Sequence, residues 1–274
     1  MATRPRRSCL TVPASSPRML AKAATLPADE IVLDLEDGVA PGEKTDATRA
    51  LLVEAVRAGA RATVAVRING VASPWWRDDL AAVAEARPAV VVIPKVESPD
   101  DVAMVAGLLP AGTGIEAQIE TARGLVEVER IAQAGHGLEA LVFGPGDFGA
   151  SIGVPVLTIG EGSWDYALAR IVVAARAFGL QAVDGPYAAI RDLDGLRASA
   201  LHTLAHGLDG KWVVHPDQIA PVNEVFTPAP EELERARRIL AAGEGAVLVD
   251  GDMVDKASHR LAEALVARAR AAET

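Results

Sequence analysis

The stretch Glu30-Ile-Val-Leu-Asp-Leu-Glu-Asp-Gly38 decides how this chain is read. Its apolar run is too short for a helix and rich in residues that suit a buried strand. It ends abruptly at acids and a glycine. The same pattern recurs along the chain. Eight runs read as strands: Cys9–Val12, Glu30–Leu35, Ala62–Ile68, Val90–Pro94, Glu116–Ile119, Ala140–Phe143, Gln181–Val183 and Trp212–His215. Between them lie Ala-rich segments with helical periodicity, among them Lys44–Ala58, Arg77–Glu85, Leu125–Gln133, Asp165–Phe178 and Leu193–Ala205. Strands alternating with helices imply a parallel sheet, and eight units favour a closed barrel over an open sheet. No G-x-G-x-x-G follows an early strand, which disfavours a dinucleotide-binding sheet. The expected fold is an α/β (β/α)8 TIM barrel over residues 1–220. Residues 221–274 are expected to form a C-terminal helical extension, acting as a lid or in oligomerisation. That extension reads as a charged helix Glu231–Ala242, a Gly-rich turn Gly243–Gly251 and a second helix Lys256–Ala272.

The 274 residues match the usual size of one such barrel. Half of them are hydrophobic but only 4% are aromatic, so the core must be built from Ala, Val, Leu and Ile. Those residues suit parallel strands covered on both faces. A net charge of −10 argues against a nucleic-acid partner. The lone cysteine, Cys9, excludes a disulfide within the chain and fits a cytoplasmic setting. Cys9 lies in the first strand and reads as core. The basic start Met1–Arg7 leads into a short apolar stretch that Pro13, Ser15, Ser16 and Pro17 interrupt. Neither a signal h-region nor a membrane span is expected.

In a barrel of this kind the chemistry sits at the C-terminal ends of the strands. Seven of the eight runs deliver a charged or titratable residue to that rim. Glu120 and Asp147 are the candidate metal ligands, because each follows an apolar strand and lies beside Gly-rich backbone. Carboxylate oxygens without His or Cys nearby favour Mg2+, with Mn2+ possible, over zinc. An N-cap, or an ion pair with Arg123, is the alternative for either acid alone. Two on adjacent strands favour the metal. Arg67 closes an apolar strand, and its planar guanidinium could hold a substrate carboxylate through two hydrogen bonds. A structural ion pair with Glu36 or Asp37 is its alternative. Glu36 and Asp37 could orient metal-bound water, Gly146 leaves room for a ligand, and His215 could donate to one. Trp75 and Trp76 could cover the site or pack in the core. His136, His202, His206 and His259 show no shared spacing and read as surface or structural.

Read together and in order, several motifs resemble the HpcH/HpaI aldolase and citrate lyase β-subunit family, in particular its CitE-like acyl-CoA lyases. They are Val12-Pro-Ala14 with Pro17-Arg18, Leu33-Asp-Leu-Glu-Asp-Gly-Val39, Val66-Arg-Ile-Asn69, Pro94-Lys95 and Ile119-Glu-Thr-Ala-Arg-Gly124. Further along come Phe143-Gly-Pro-Gly-Asp147, Gly210-Lys-Trp-Val-Val-His-Pro-Asp-Gln-Ile219, Asn223-Glu-Val-Phe-Thr-Pro228 and Gly251-Asp-Met-Val-Asp255. The resemblance implies that Glu120 and Asp147 bind Mg2+ and that Arg67 holds the keto-acid carboxylate. It implies that the segment around His215 lies near coenzyme A, which is part of the substrate. It also implies that Asp255 is the acid that relatives insert into a neighbouring subunit's site, within a homotrimer or a multiple of trimers. Two departures stand out. Thr48 occupies the place of a common arginine, with Arg49 one residue later, and Lys256 replaces the usual proline after Asp255.

The expected reaction is a Claisen-type cleavage of a 3-hydroxy-acyl-CoA, such as malyl-, citramalyl- or citryl-CoA, into an acyl-CoA and a 2-oxo acid. Asp255 is the expected proton-exchanging group. The alternatives are a class II aldolase acting on a free 2-oxo-acid aldol, a malyl-CoA thioesterase, and a non-catalytic subunit. The extension weighs against the first, and the intact Glu120, Asp147 and Arg67 against the last.

Overall fold

A computed structural model of the chain describes residues 4–155, 157, 159, 162–243 and 245–272. The first three residues of the basic start and Glu244 of the Gly-rich turn lie outside them. Eight parallel strands close into one barrel in sequence order. They are β1 Ser8–Pro13, β2 Glu30–Asp34, β3 Thr63–Arg67, β4 Val90–Ile93, β5 Gly114–Ile119, β6 Leu138–Phe143, β7 Gln181–Asp184 and β8 Gly210–Val213. Closure comes where Ser8, Cys9 and Leu10 pair with Lys211, Trp212 and Val213. Every predicted strand is present, with ends displaced by at most two residues.

The helices α1 Pro17–Ala23, α2 Asp46–Ala58, α3 Trp76–Ala86, α4 Pro99–Ala106, α5 Ala122–Val126, α6 Val128–Ala132, α7 Pro145–Ile152, α8 Asp165–Ala177, α9 Leu193–Ala205 and α10 Ile219–Phe226 surround the barrel. Their starts carry local signals. The Thr45 side chain accepts from Thr48 N–H at the head of α2, and Ser98 with Asp101 forms a reciprocal capping box on α4. The helix expected over Leu125–Gln133 is two short pieces that break at Glu127. Ile219, Val222 and Phe226 of α10 are buried in the main core, so this helix straddles the expected boundary at residue 221.

Inside the barrel the side chains form layers. The middle layer is small and apolar: Cys9, Val32, Ala65, Val90, Val92, Val142 and Val183 pack with Trp212. Below it, near the strands' N-terminal ends, Glu30 and Glu116 are fully buried around Arg6. The Arg6 guanidinium bonds Glu116 and Gln181, lies 3.4 Å from Glu30 and reaches Glu139 at 2.7 Å. Burial first, then the charge of Glu116, pushes the Glu30 carboxyl well above the usual range. Arg6 is therefore the counter-ion that makes this layer tolerable.

Beyond the barrel, α11 Pro230–Ala241 and α12 Lys256–Ala272 pack on each other. Between them the expected simple turn is instead a hairpin of β9 Val247–Val249 and β10 Asp252–Val254. Asp250 and Gly251 both have positive φ, 55° and 89°. That is the two-residue Asp-Gly turn that matches strand twist. Among the described residues no helix is long and apolar enough to cross a membrane.

Replacing Arg6 with Met should leave buried carboxylates without a counter-ion and destabilise the fold by about 3–5 kcal/mol. Denaturant unfolding followed by circular dichroism measures this; a loss under about 1 kcal/mol would show that the layer does not depend on Arg6.

Candidate functional site

The top layer of the barrel interior is charged. Arg67, the last residue of β3, is fixed from below and from the side. Its Nε and Nη2 donate to Asp34 Oδ1 and Oδ2 at 2.7 and 2.6 Å. Its guanidinium lies 5.4 Å from the centre of the Trp212 ring. The remaining nitrogen, Nη1, approaches Glu36 Oε2 at 3.2 Å and Gln118 Oε1 at 3.4 Å. The partner that takes two of its bonds is thus Asp34, not the Glu36 or Asp37 weighed from sequence. Asp34 also accepts from the backbone N–H groups of Glu36 and Gly38. Although burial opposes ionisation, Arg67 and these amides hold the Asp34 carboxyl below its ordinary value.

Above this pair, acids from three loops converge on Lys95. Its ammonium bonds Glu36 Oε1, lies 3.2 Å from Asp147 Oδ2 and 3.6 Å from Asp37 Oδ2. Its backbone N–H donates to Glu120 Oε1 at 2.8 Å. The lysine sits in the left-handed region at φ 53°, a conformation that L-residues avoid. The hydrogen bonds of Lys95 N–H to Glu120 and of Val96 N–H to the Gln118 carbonyl hold it there. Such strain concentrates at functional sites. Glu120 Oε2 accepts from Gln118 Nε2 at 3.3 Å. Gly144 makes room for it, since a Cβ there would stand 2.3 Å from Glu120 Oε2.

Glu120 is buried, whereas Asp147, in the first turn of α7, is partly exposed. Burial is the largest influence on Glu120, and the charges of Glu36 and Asp147 add to it. Arg67 and Lys95 only partly offset them, and the carboxyl is pushed up to about 7. Burial also raises Glu36. A site with this surplus of carboxylate oxygen and no thiolate or imidazole fits a hard divalent cation such as Mg2+. Arg123 plays no part in neutralising Glu120; it pairs with Glu127 at 3.3 Å.

A cleft of about 760 Å³ opens beside the acids, lined by Glu36, Asp37, Lys44, Trp75, Lys95 and Arg123 among others. Lys44 bonds Asn69 and the Glu36 carbonyl, and its ammonium stands 4.9 Å from the Trp75 ring centre. Trp76 instead packs in the core. Arg49 is a clamp: it bonds Asp79 at 2.9 Å, and Asp79 in turn holds the Asn69 backbone and side chain.

Of the predicted site residues only Glu36 and Asp37 line this cleft; Arg67, Glu120, Asp147, Gly146, His215 and Asp255 do not. Gly146 lies beside Ile159. The His215 ring accepts from Asp217 N–H and heads a short 3-10 turn. Asp255 Oδ1 accepts from the N–H groups of Ala257 and Ser258 at the head of α12, which lowers its pKa. At the end of β7, Asp184 turns to a buried pairing with Lys211. Lys95, Asp34 and Gln118 are site residues that sequence reading left without a role. Two of the histidines do share a spacing. His202 and His206 lie one turn apart on α9, near Asp165.

Known proteins resemble this chain over most of its length. A family model described as HpcH/HpaI aldolase/citrate lyase matches residues 7–216, and one described as a C-C bond lyase of the TIM-barrel fold matches residues 163–272. The L-malyl-CoA/beta-methylmalyl-CoA lyase of Cereibacter sphaeroides is 39% identical, with 97% of this chain and 95% of the relative covered. A (3S)-malyl-CoA thioesterase of the same organism is 40% identical over equal shares. The crystal structure of the CitE protein of Mycobacterium tuberculosis with magnesium, acetoacetate and coenzyme A superposes with a TM-score of 0.82. It is 33% identical and covers 98% of this chain and 99% of that one.

The free Glu120 carboxyl of an unfolded chain ionises near 4.5, and the folded one near 7. Between those values the unfolded state binds fewer protons, so this group lowers stability as pH rises. Glu120→Gln should therefore gain on the wild type by a few degrees of Tm between pH 5 and pH 8, measured with chelator present. A Tm difference that stays constant with pH would contradict the raised value.

Proposed function

Because the chain belongs to the HpcH/HpaI aldolase/citrate lyase family, we propose that it makes and breaks the C–C bond of a 3-hydroxy-acyl-CoA of the malyl-CoA type, yielding an acyl-CoA and a 2-oxo acid. The observation that carries this reading is the gathering of acids at Lys95, whose ammonium meets Glu36 and Asp147 while its backbone N–H holds Glu120, above an arginine that Asp34 fixes. A Mg2+ or Mn2+ ion held by Glu120 and Asp147 would supply Lewis acidity at the 2-oxo oxygen.

The chain's own residues supply the rest. Arg67 Nε and Nη2 are committed to Asp34, and Nη1 faces Glu36 and Gln118, so a substrate carboxylate that displaces Glu36 from Nη1 would gain one directed charge-assisted hydrogen bond. The Asp34 pair fixes that donor before substrate arrives, so little ordering cost remains. Glu36 and Asp37 orient polar groups at the cation, and Gly146 leaves space beside Asp147. The cleft, with Lys44 and Arg123 on its walls and Trp75 as a flat apolar surface, suits an anionic nucleotide thioester. His215, on the strand-eight side, is read as a further coenzyme A contact.

Asp255 is assigned the proton exchange at the acyl carbon next to the thioester. Its depressed pKa keeps it in the base form at neutral pH. Its place in the extension suits reach into the site of a second copy. Exposed Leu248, Met253 and Leu261 on the same segment suit such a contact, and a homotrimer or a multiple of trimers is the proposed state. Residues 1–220 are proposed as the catalytic unit and 221–274 as the extension that completes it, in a cytoplasmic enzyme. A thioesterase outcome has its own support in the 40% identical relative of that name. Water admitted to the same site would hydrolyse the thioester.

The test offers acetyl-CoA or propionyl-CoA with glyoxylate, pyruvate or oxaloacetate and Mg2+, and identifies products by mass. A condensed acyl-CoA supports the lyase; free acid and free CoA from malyl-CoA support the thioesterase. No product from any pair, together with no hydrolysis of malyl-CoA by folded protein, would refute both. Asn caps a helix as well as Asp does, so Asp255→Asn separates the α12 cap from proton transfer. It should lower kcat by roughly 10²–10⁴-fold with Mg2+ affinity unchanged, measured by steady-state kinetics and calorimetry. Full activity would remove Asp255 from the chemistry.

A further inference from the structure

We propose that Asp165, His202 and His206 form a second metal site, for a borderline transition-metal ion such as Zn2+, on the outer helical layer of the barrel. Asp165 is the first residue of α8, and the two histidines close α9. Their four-residue spacing puts both rings on one face of that helix, 4.6 Å apart between centres. His202 Nε2 lies 2.8 Å from Asp165 Oδ1, and His206 Nε2 lies 3.8 Å from the same oxygen. One ligand atom from each of the three residues falls within 4.8 Å of the others. A tetrahedral zinc ion with bonds of ~2.0–2.1 Å holds its ligands roughly 3.3 Å apart. The two separations from Asp165 straddle that value, and the two histidine nitrogens lie within 4.8 Å of each other.

The protonation pattern points the same way. His206 Nδ1 lies 2.9 Å from the His202 carbonyl, which can only accept. The proton of a neutral His206 is therefore on Nδ1, and Nε2 turns a lone pair toward the carboxylate. At 3.8 Å that contact is too long for a hydrogen bond. The Nδ1–H to backbone carbonyl bond is also the outer contact that orients metal-ligating histidines. The last turn of α9 adds the negative end of a helix dipole. Imidazole with one carboxylate selects zinc, nickel or copper rather than magnesium, so this site does not compete with the acid cluster for the same ion. Asp165 and His202 are more than half exposed, so water can fill the remaining positions. His202 also borders a cavity of about 320 Å³ that Ser199, Thr203 and the Asp184–Lys211 pair share. An ion here would tie the start of α8 to the end of α9.

The test titrates tag-free, metal-stripped protein with Zn2+ in saturating Mg2+ by calorimetry. The expected result is one Zn2+ per chain, at least tenfold weaker in His206→Ala and in His202→Ala. Binding should persist in Glu120→Gln, which separates it from the acid cluster. Co2+ in place of Zn2+ should give visible absorption of a four-coordinate N/O site, lost in both histidine variants. His136→Ala, a histidine away from the cluster, should bind as the wild type does. Absence of stoichiometric Zn2+ binding would overturn the site, as would binding that both histidine variants retain. Far-UV circular dichroism shows that each variant is folded.

Discussion

The mouth of this barrel holds more buried negative charge than its own cations neutralise. Asp34 takes two short hydrogen bonds from Arg67, whose remaining nitrogen reaches Glu36. The Lys95 ammonium meets Glu36, Asp147 and Asp37, and its backbone N–H donates to Glu120. Burial disfavours ionisation of Glu120, Glu36 and Asp147 add negative charge, Arg67 and Lys95 only partly offset them, and the carboxyl rises to about 7. Such an arrangement costs stability in isolation. It becomes favourable when a further positive charge arrives, and that is what binding a divalent cation accomplishes. The arginine below is locked before anything binds, so it can discriminate a carboxylate without rearranging.

The rest of the fold serves this placement. Parallel strands deliver Arg67, Lys95, Glu120 and Asp147 to one rim because each loop begins where its strand stops hydrogen-bonding. The middle layer is built from Val, Ala and Cys9, which leaves the Trp212 ring to support Arg67 from beneath. Gly144 lacks a side chain where Glu120 needs space. Arg49 acts at one remove: it fixes Asp79, Asp79 fixes Asn69, and Asn69 bonds Lys44 at the wall of the cleft. At the opposite end Arg6 is the counter-ion between the buried Glu30 and Glu116.

Much of this was legible in the residues, because it rests on periodicity. Eight apolar runs between amphipathic segments admit few arrangements, and the acids that end those runs share a rim by construction. Glu120 and Asp147 were visible for that reason. What stayed hidden depends on side-chain direction across strands far apart in sequence. Asp34 reads like any strand-end acid until Arg67, thirty-three residues later, is seen to reach it. Lys95 carries no sequence mark of its left-handed backbone. Asp250-Gly251 did carry a hairpin signal, obscured by the surrounding glycines. His202 and His206 had helical spacing in plain view, but only the approach of Asp165 from a different helix gives that spacing chemical meaning. Asp255 caps its own helix here, and the proton exchange proposed for it rests on family likeness.

The acid cluster of Glu36, Glu120 and Asp147 around Lys95 is proposed as a cation site. Crystals soaked in Mn2+ and measured at the manganese absorption edge test it directly. The account predicts an anomalous peak bonded to carboxylate oxygens of both Glu120 and Asp147, with Lys95 drawn away from Asp147. A barrel mouth without such a peak, with the ammonium still seated between Glu36 and Asp147, would contradict it.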